Sequence, residues 1–374
     1  MKIGVVTYSN TSSNYGEVLQ YLSTQEFLKE LGHDAFLLRE KVKIPLWKRL
    51  IRPFYHFCKK RFLVKKNKDV NKRKEEIFEK WRQTSKLMEK KYPRYFEEFR
   101  KKNFQIIEDD VENFSKYKFD AYCVGSDQTW TEPPFFYYLE FAPKNSIRFS
   151  IAPSTGHALI SDDFANRVHN ALEAFLFITV REKNGLELCK KAGRSDAHLV
   201  LDPTFLMSAD QYKSYASPST KKRPYIFLYL LGADIPISVS EIFEFAEKNN
   251  FDVKYVASQG RDDSFAKIYA TVEEWLSLIA NADYVITNSF HGSALSVIFH
   301  KQFVVFPIVG LLSSMNERIE NIANIFALKD RIYSNQMNDL FNPIDWEKVD
   351  SVILKNKCLM KSLLKSLKSS DYDF

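Results

Sequence analysis

Short apolar runs rich in β-branched residues alternate along this chain with segments of helical period. Runs of this length and composition are typical of strands buried on both faces, and such strands occur in parallel sheets covered by helices. The alternation therefore predicts an α/β protein built on parallel sheets. The predicted strands are residues 2–8, 35–38, 121–124, 148–151, 225–230, 253–256, 284–287 and 303–306.

One helix has an especially clear signature. Apolar residues recur at positions i, i+3, i+4, i+7 and i+8 from Val272 to Ala280, which places them on one helical face. Thr271 and Glu274 have the spacing of a capping box at the start of this stretch. The pattern predicts a helix over residues 272–281.

The length of 374 residues is enough for about two domains of roughly 150 residues each. Pro203 stops a strand, and residues 217–223 form a polar, Pro-containing connector before the next strand. We therefore predict an N-terminal domain of residues 1–206 and a C-terminal domain of residues 207–345. Residues 346–374 are predicted to be a helix and tail that fold back across the domains.

The formal net charge of +7 hides an uneven distribution along the chain. Residues 41–103 contain 23 Lys/Arg and 7 Asp/Glu, a net charge of +16, whereas the rest of the chain has 31 and 40, a net charge of −9. The basic residues lie between the second and third predicted strands, in stretches of helical pattern. We predict a basic helical insertion in an otherwise acidic body.

The four cysteines lie far apart and form no CxxC pair, so the sequence indicates neither a disulfide framework nor a structural metal site. Thiols in this arrangement fit a reducing compartment. Met1 and Lys2 lead into a predicted strand rather than a signal peptide. The longest apolar run, residues 303–312, is about half of the roughly 20 residues that a membrane-spanning helix requires. We expect a cytoplasmic protein.

The segment of residues 283–296 is the most informative about function. A strand is predicted to end at Thr287 and a helix to begin near Gly292, so that free backbone N–H groups and a positive helix end meet at the carboxyl edge of the sheet. Such a turn binds phosphate or carboxylate. His291 is expected in this turn, and its ordinary pKa suits proton transfer at neutral pH. The alternative is a histidine that only hydrogen-bonds the turn.

A second polar turn, residues 125–130, follows the third long predicted strand. A Gly-Ser-Asp turn at the carboxyl end of a strand is where open α/β sheets bind ligands, and Asp127 and Gln128 have the functional groups to bind sugar hydroxyls. An Asx-turn that merely closes the strand is the alternative.

Two further segments carry weaker signals. Arg181 and Glu182 follow a short apolar run, and the Arg181 guanidinium offers a two-pronged donor for carboxylate or phosphate, although such a pair is also typical of a surface ion pair. A Ser/Asn-rich loop over residues 9–16 precedes a predicted helix. That loop either caps the helix or contacts a ligand.

Taken together and in order, these segments resemble the polysaccharide pyruvyl transferase family over roughly residues 1–330. The resemblance implies two Rossmann-like domains of the glycosyltransferase B (GT-B) type with the active site between them. It also implies phosphoenolpyruvate as donor and a sugar of a bacterial cell-surface polysaccharide as acceptor. The matching stretches are Asn14-Tyr15-Gly16 with Leu19-Gln20, Gly125-Ser126-Asp127-Gln128-Thr129-Trp130, Val180-Arg181-Glu182, Asp202-Pro203-Thr204, and Ser289-Phe290-His291-Gly292 followed by Pro307 and Arg318.

The resemblance implies roles for individual residues. His291 is the expected general acid/base, the N-terminal domain the acceptor side and the C-terminal domain the donor side. The residues expected to bind the anionic donor are Arg181, Ser289, Gly292, Ser293 and Arg318. The residues expected to bind the acceptor are Asn14, Tyr15, Gly16, Ser126, Asp127 and Gln128. Neither a metal nor a cofactor is expected beyond phosphoenolpyruvate as donor substrate.

Two positions depart from the family pattern. Better-studied members have an arginine two residues before the catalytic histidine, where this chain has Ser289, although a Ser-Phe-His-Gly version is a common sub-pattern. Glu17 stands where a small residue is more usual. Arg318 is the candidate to supply the cation that Ser289 does not.

Two other functions fit parts of the sequence. One is a glycosyltransferase of the same architecture that uses a nucleotide sugar, because a fold does not determine a reaction. The other is a non-catalytic protein that binds nucleic acid or a membrane surface through residues 41–103.

For the basic segment we favour a peripheral contact with the inner face of the membrane, where lipid-linked sugar acceptors are held, over nucleic acid, for which no binding motif is present. The apolar residues Trp47, Leu50, Ile51 and Phe54 alternate there with Lys48, Arg49 and Arg52. The alternative is a solvated charged face over an ordinary packed helix. The sequence does not indicate an oligomeric state.

Overall fold

A computed structural model describes residues 1–41, 68–131, 135–156, 160–232 and 234–369 of the chain. Its strands form two larger parallel sheets and one two-stranded sheet. The strands are β1 (Lys2–Val6), β2 (Asp34–Glu40), β3 (Ile106–Asp109), β4 (Ala121–Val124), β5 (Ile147–Ser150), β6 (Thr179–Val180), β7 (His198–Leu199), β8 (Tyr225–Tyr229), β9 (Asp252–Val256), β10 (Tyr284–Thr287) and β11 (Gln302–Val305).

The first sheet has the strand order β3-β2-β1-β4-β5, and all its pairs are parallel. Its central strand β1 places Val5 opposite Leu37 on one side and Cys123 on the other. Val5 is fully buried, as expected for a strand covered on both faces. A bridge between Phe149 and Phe177 links this sheet to the β6-β7 pair.

The second sheet has the order β11-β10-β8-β9, again with parallel pairs only. Each sheet thus grows outward in both directions from a central strand, as in a doubly wound Rossmann-like domain. The chain has two such domains in sequence, which is the glycosyltransferase B arrangement. A 3₁₀ turn at Pro203–Leu206 lies between them, and the exact domain boundary stays a prediction.

Helices connect the strands and cover the sheets. They are α1 (Tyr15–Glu30), α2 (Lys68–Lys91), α3 (Phe96–Asn103), α4 (Asp162–Glu173), α5 (Lys183–Lys191), α6 (Ala209–Lys213), α7 (Val239–Lys248), α8 (Val272–Ala280), α9 (Phe290–Ile298), α10 (Glu317–Ile325) and α11 (Trp346–Ser369). None of the helices in the described part of the chain combines the length and apolar composition needed to cross a membrane.

All eight predicted strands are present, each within two residues of its predicted ends. The predicted capping box is also confirmed: the Glu274 N–H donates to Thr271 Oγ1 at 3.2 Å, and the Thr271 N–H donates to a Glu274 carboxylate oxygen at 2.8 Å. Strand β3 was not predicted, and β6 and β7 were indicated only as strand ends before Arg181 and Pro203, without bounds. Both residues of β7 are exposed and β3 is only partly buried, so neither has the apolar run that marks a buried strand.

Helices α2 and α3 lie within the basic segment of residues 41–103. Ile77 and Trp81 of α2 pack against Ile308 and Leu312 beyond the second sheet. Trp47, Leu50, Ile51 and Phe54, together with the basic residues among them, lie outside the described residues, so the proposed membrane-facing helix stays a prediction.

The C-terminal helix α11 folds back across both domains, as predicted. At its start, Trp346 stacks on His300 of the second domain with ring centroids 4.7 Å apart. Further along, Asn356 Oδ1 accepts a hydrogen bond from the Leu201 N–H at 2.8 Å, and Lys361 contacts Glu30 of α1 at 2.7 Å. The helix therefore ties the two domains together.

We expect Asn356→Leu to lower the free energy of unfolding by about 1–3 kcal/mol, because it leaves the buried Leu201 N–H without an acceptor. The matched control is Lys361→Ala on the same helix, whose partly exposed ion pair contributes less than about 1 kcal/mol. Urea unfolding of both variants measures the difference. Equal losses would contradict the role assigned to Asn356.

Candidate active site between the two sheets

Helix α9 begins earlier than predicted. Its first residue is Phe290 and its N-cap is Ser289, whose Oγ accepts a hydrogen bond from the Gly292 N–H at 3.3 Å. A serine at the N-cap satisfies one of the free N–H groups of a first helical turn. His291 is therefore the second residue of the helix, and its predicted position in the preceding turn is wrong.

This cap also changes the predicted anion cradle. The Gly292 N–H is bonded to Ser289 Oγ, and the Ser293 N–H donates to the Ser289 carbonyl at 2.9 Å. Both residues are buried, and a Cβ on Gly292 would lie 2.5 Å from Thr287 Oγ1. These two N–H groups are not free to form the predicted cradle, and the two residues instead pack α9 against its strand.

His291 points from the second domain toward the first. A Cβ built on Gly16 of α1 would lie only 1.9 Å from His291 Nδ1, so the imidazole packs directly on the Gly16 backbone. Among the described residues, buried His291 Nε2 has no hydrogen-bond partner. Burial lowers the pKa of His291 below its ordinary value of 6.5, and the nearby Asp202 and Asp127 carboxylates offset only part of this effect. Burial therefore favours the neutral form of the imidazole.

A buried ion pair lies behind His291. Arg181 Nη1 contacts Asp202 Oδ2 at 2.8 Å, and Ser126 Oγ donates to the same oxygen at 3.1 Å. The other oxygen, Oδ1, accepts from the N–H and the hydroxyl of Thr204 at 3.0 and 2.9 Å. Burial alone would raise the pKa of Asp202, but Arg181 and these hydrogen bonds hold it below its ordinary value.

Arg181 is not part of a surface ion pair with Glu182. Its side chain is 3% exposed, and its guanidinium carbon lies 5.3 Å from the centre of the Phe290 ring. Glu182 is also buried and accepts hydrogen bonds from Ser154 and Thr155 instead. Arg181 therefore supports the first turn of α9 from behind.

The cavity between the two domains measures about 230 Å³. Six of the predicted site residues line it, namely Asn14, Asp127, Gln128, Ser289, His291 and Arg318. The other six lie behind its wall, namely Tyr15, Gly16, Ser126, Arg181, Gly292 and Ser293. Tyr15, for example, is fully buried, and its hydroxyl donates to the Ala270 carbonyl at 2.6 Å.

Asp127 and Gln128 form the wall contributed by the first sheet. Asp127 has a φ of +71°, a left-handed conformation that turns the chain sharply after β4. Its Oδ1 accepts from the Gln128 N–H at 2.9 Å and lies 3.6 Å from Arg181. The turn closes the strand, as the Asx-turn interpretation predicts, and both residues also line the cavity. Binding of sugar hydroxyls by these two residues stays a prediction.

Arg318 supplies a buried positive charge to the cavity. It follows the first residue of α10, and Asn316 holds this helix start by two 2.8 Å hydrogen bonds to the backbone of Ile308. Within the described ranges, no carboxylate lies within ion-pair distance of Arg318. Burial lowers the pKa of Arg318 and the charge of Arg181 adds to that effect, while the carboxylates of Asp127, Glu182 and Asp202 offset part of it from beyond ion-pair distance. A bound anion would stabilise the charged form of Arg318 against both its burial and the repulsion from Arg181.

Three helices begin at this cavity: α1 after Asn14, α9 after Ser289, and α10 just before Arg318. The N-terminus of a helix carries a partial positive charge from its aligned peptide dipoles. Together with Arg318, these helix ends place positive charge around the cavity, and anion binding there stays a prediction.

Four residues that were not predicted also line the cavity, namely Phe78, Trp81, Tyr229 and Gln259. Phe78 and Trp81 are spaced i, i+3 on α2, which puts them on one helical face. That spacing is the sequence signal that indicates a shared surface for the two rings. Among the described residues, no group of three or more His, Cys, Asp or Glu side chains is arranged to hold a metal ion.

Sequence comparison finds one family. The profile described as polysaccharide pyruvyl transferase matches residues 14–308, which include every candidate site residue except Arg318. A search of curated proteins finds no match.

Several solved structures are similar to the chain. A putative UDP-N-acetylglucosamine 2-epimerase from Listeria monocytogenes has a TM-score of 0.49 at 9% identity, covering 100% of this chain and 97% of that one. UGT89C1 from Arabidopsis thaliana, complexed with UDP-L-rhamnose, has a TM-score of 0.45 at 10% identity, covering 98% and 93%. UDP-GlcNAc 2-epimerase from Methanocaldococcus jannaschii has a TM-score of 0.41 at 12% identity, covering 95% and 100%.

Asp202→Asn is expected to lower the free energy of unfolding by about 3–5 kcal/mol, because it leaves the Arg181 charge buried without its principal counterion. Asp210→Asn is the matched control, because its ion pair with Lys213 is exposed and contributes less than about 1 kcal/mol. Chemical denaturation compares them, and a loss no larger than that of Asp210→Asn would show that the buried pair is not what holds this region together.

Proposed function

The chain belongs to the polysaccharide pyruvyl transferase family, and on this premise we propose that it transfers pyruvate from phosphoenolpyruvate to hydroxyls of a sugar in cell-surface polysaccharide biosynthesis. One juxtaposition carries the proposal: a buried histidine whose Nε2 has no hydrogen-bond partner among the described residues lines the same cavity as Arg318, which no described carboxylate approaches to ion-pair distance. The first supplies proton transfer, and the second supplies charge for an anionic donor.

The reaction needs two hydroxyls of one sugar. The first adds to C2 of phosphoenolpyruvate while the methylene carbon gains a proton and becomes a methyl group. The second then attacks C2 and displaces phosphate, which closes a cyclic ketal. One hydroxyl proton balances the new C–H bond and the other leaves with the phosphate, so the products are the ketal and inorganic phosphate. The protein must move these protons and hold the donor's charged groups.

His291 is the group proposed to move the proton. Because its pKa is lowered, the neutral form is present at pH 7 and Nε2 can accept a proton from the attacking hydroxyl. The resulting imidazolium is stabilised by the nearby Asp202 and Asp127 carboxylates. It can then donate its proton to the methylene carbon. His291 would thus act first as the general base toward the hydroxyl and then as the general acid toward the methylene carbon.

Arg318 is the group proposed to bind the phosphate or carboxylate of the donor. It takes the place of the arginine that the family pattern has at the position of Ser289, because it reaches the same cavity from α10. Arg181, predicted as a clamp, is already paired with Asp202. We therefore assign Arg181 to positioning α9, with its charge contributing to the field at the donor. Asn14, Asp127 and Gln128 are proposed to bind acceptor hydroxyls from the opposite wall.

The proposal extends to the location of the acceptor. The described part of the basic segment exposes Lys72, Lys80 and Arg82 along α2, with side chains 61%, 71% and 64% exposed. A basic helix beside the cavity suits a cytoplasmic enzyme that meets lipid-linked sugars at an anionic membrane surface.

Phosphoenolpyruvate is expected to raise the melting temperature of the protein, because a ligand that binds only the native state stabilises it by mass action. The shift should disappear in Arg318→Gln, which removes the unpaired charge, and persist in the control Arg167→Gln, whose partner is the exposed Asp163. A panel of nucleotide sugars is measured in parallel. A shift with a nucleotide sugar and none with phosphoenolpyruvate would favour glycosyl transfer instead.

His291→Ala is expected to slow phosphate release from phosphoenolpyruvate by about 10²–10⁴-fold, which is the usual contribution of a general base. In the unaltered enzyme the rate should fall as the pH drops, with its midpoint below 6.5, because protonation removes the base and the pKa of His291 is lowered from that value. His300→Ala, in which the lost histidine stacks on Trp346 of α11, is the control. Undiminished release by His291→Ala would contradict the mechanism.

A further inference from the structure

We propose that Phe78 and Trp81 of the basic insertion form an aromatic wall that binds the acceptor's sugar rings beside His291. The inference rests on the proposed function for the identity of the chemistry, but the wall itself is a feature of the cavity. Both side chains line the space that His291, Asp127 and Arg318 enclose. Their ring centroids are 5.4 Å apart and their planes meet at 88°, so the two rings contact each other edge to face.

Trp81 is fixed in place by the second domain. Gly260 has a φ of +72°, and a Cβ built on it would lie 2.4 Å from the Trp81 indole, so the ring rests on bare backbone. Trp81 also packs against Ile308 and Leu312. A preorganised ring loses little conformational entropy when a ligand stacks on it.

Phe78 has no comparable role in the core. It is 39% exposed, although burial of an aromatic ring is strongly favourable. An aromatic side chain held at the mouth of a polar cavity offers a flat apolar surface. The face of a pyranose ring that carries its axial C–H groups is the matching surface, while the sugar's hydroxyls remain free to bond the polar wall.

The wall continues beyond the first cavity. A second space of about 330 Å³ shares Phe78, Trp81 and Gln259 with it and adds Glu75 and Arg82. Gln259 is held by a 2.8 Å hydrogen bond to Ser13 of the first domain. Polar groups thus flank the aromatic pair on its outer side as well. This layout suits an acceptor of more than one sugar unit, with its terminal unit at His291 and the next over the aromatic rings.

Saturation-transfer difference NMR tests the wall directly. The probes are the methyl pyranosides of glucose, galactose, mannose and N-acetylglucosamine, each measured with the full-length protein. We expect ring C–H protons of at least one probe to be saturated, and binding to weaken about threefold to tenfold in Phe78→Ala, as for loss of one aromatic contact. Trp81→Leu should weaken sugar binding by a similar factor. Trp81→Phe keeps an aromatic ring and should bind the sugar about as well as the unaltered protein does.

Leu87→Ala is the matched control, because Leu87 lies on the same helix and is 67% exposed without lining either space. Saturation of none of the four probes, equal binding by Phe78→Ala, or an equal loss in Leu87→Ala would each overturn the inference. Should Trp81→Leu not fold, Phe78→Ala decides.

The melting shift with phosphoenolpyruvate is measured on the same samples and is expected in Phe78→Ala as in the unaltered protein. Its absence from every sample would contradict the proposed donor, while the NMR result would still report on the sugar wall.

Discussion

The buried ion pair between Asp202 and Arg181 is the interaction on which the rest of the site depends. Each charge alone would cost several kcal/mol to remove from water, so neither is tolerated there without the other. The pair joins the ends of β4 and β6 to the segment between the domains, because Ser126 and Thr204 bond the same carboxylate. Phe290 packs on the Arg181 guanidinium, and this contact fixes the position of the next residue, His291. Several residues that match the family pattern, such as Arg181 and Asp202, therefore hold α9 in position instead of lining the cavity.

The fold was predictable from the sequence to the extent that burial leaves a pattern. Strands buried on both faces have continuous apolar runs, and the box at Thr271 has a fixed spacing, so both were found. Short edge strands such as β7 have no such pattern, because their residues are exposed. The start of α9 was misplaced because Ser289 and the residues after it are all compatible with either a turn or a cap. Only the hydrogen bond to Gly292 decides between them.

The sequence predicted where along the chain the site residues lie, but not which of their side chains face the cavity. Sequence reasoning identified the turns at the carboxyl ends of the strands, because parallel sheets bring those turns together. It could not tell that Ser126 and Tyr15 face inward while Gln128 faces the cavity, since polar turn residues look alike until packing is known. Trp81 was missed for a different reason: it comes from an insertion far from every motif. Arg318 was named in the sequence as the candidate to supply the charge that Ser289 lacks, and the structure places both residues at the same cavity on different helices.

The contact between Gly16 and His291 is one of several that join the two domains. One partner belongs to the helix that follows β1, and the other to the helix that follows β10, 275 positions later in the chain. The dry surroundings that keep the imidazole uncharged are thus made by neither domain alone. The lowered pKa of His291 is therefore a property of the interface, and separating the domains would return that pKa toward its ordinary value. In the proposed mechanism, proton transfer by His291 would accordingly depend on the contact between the two domains.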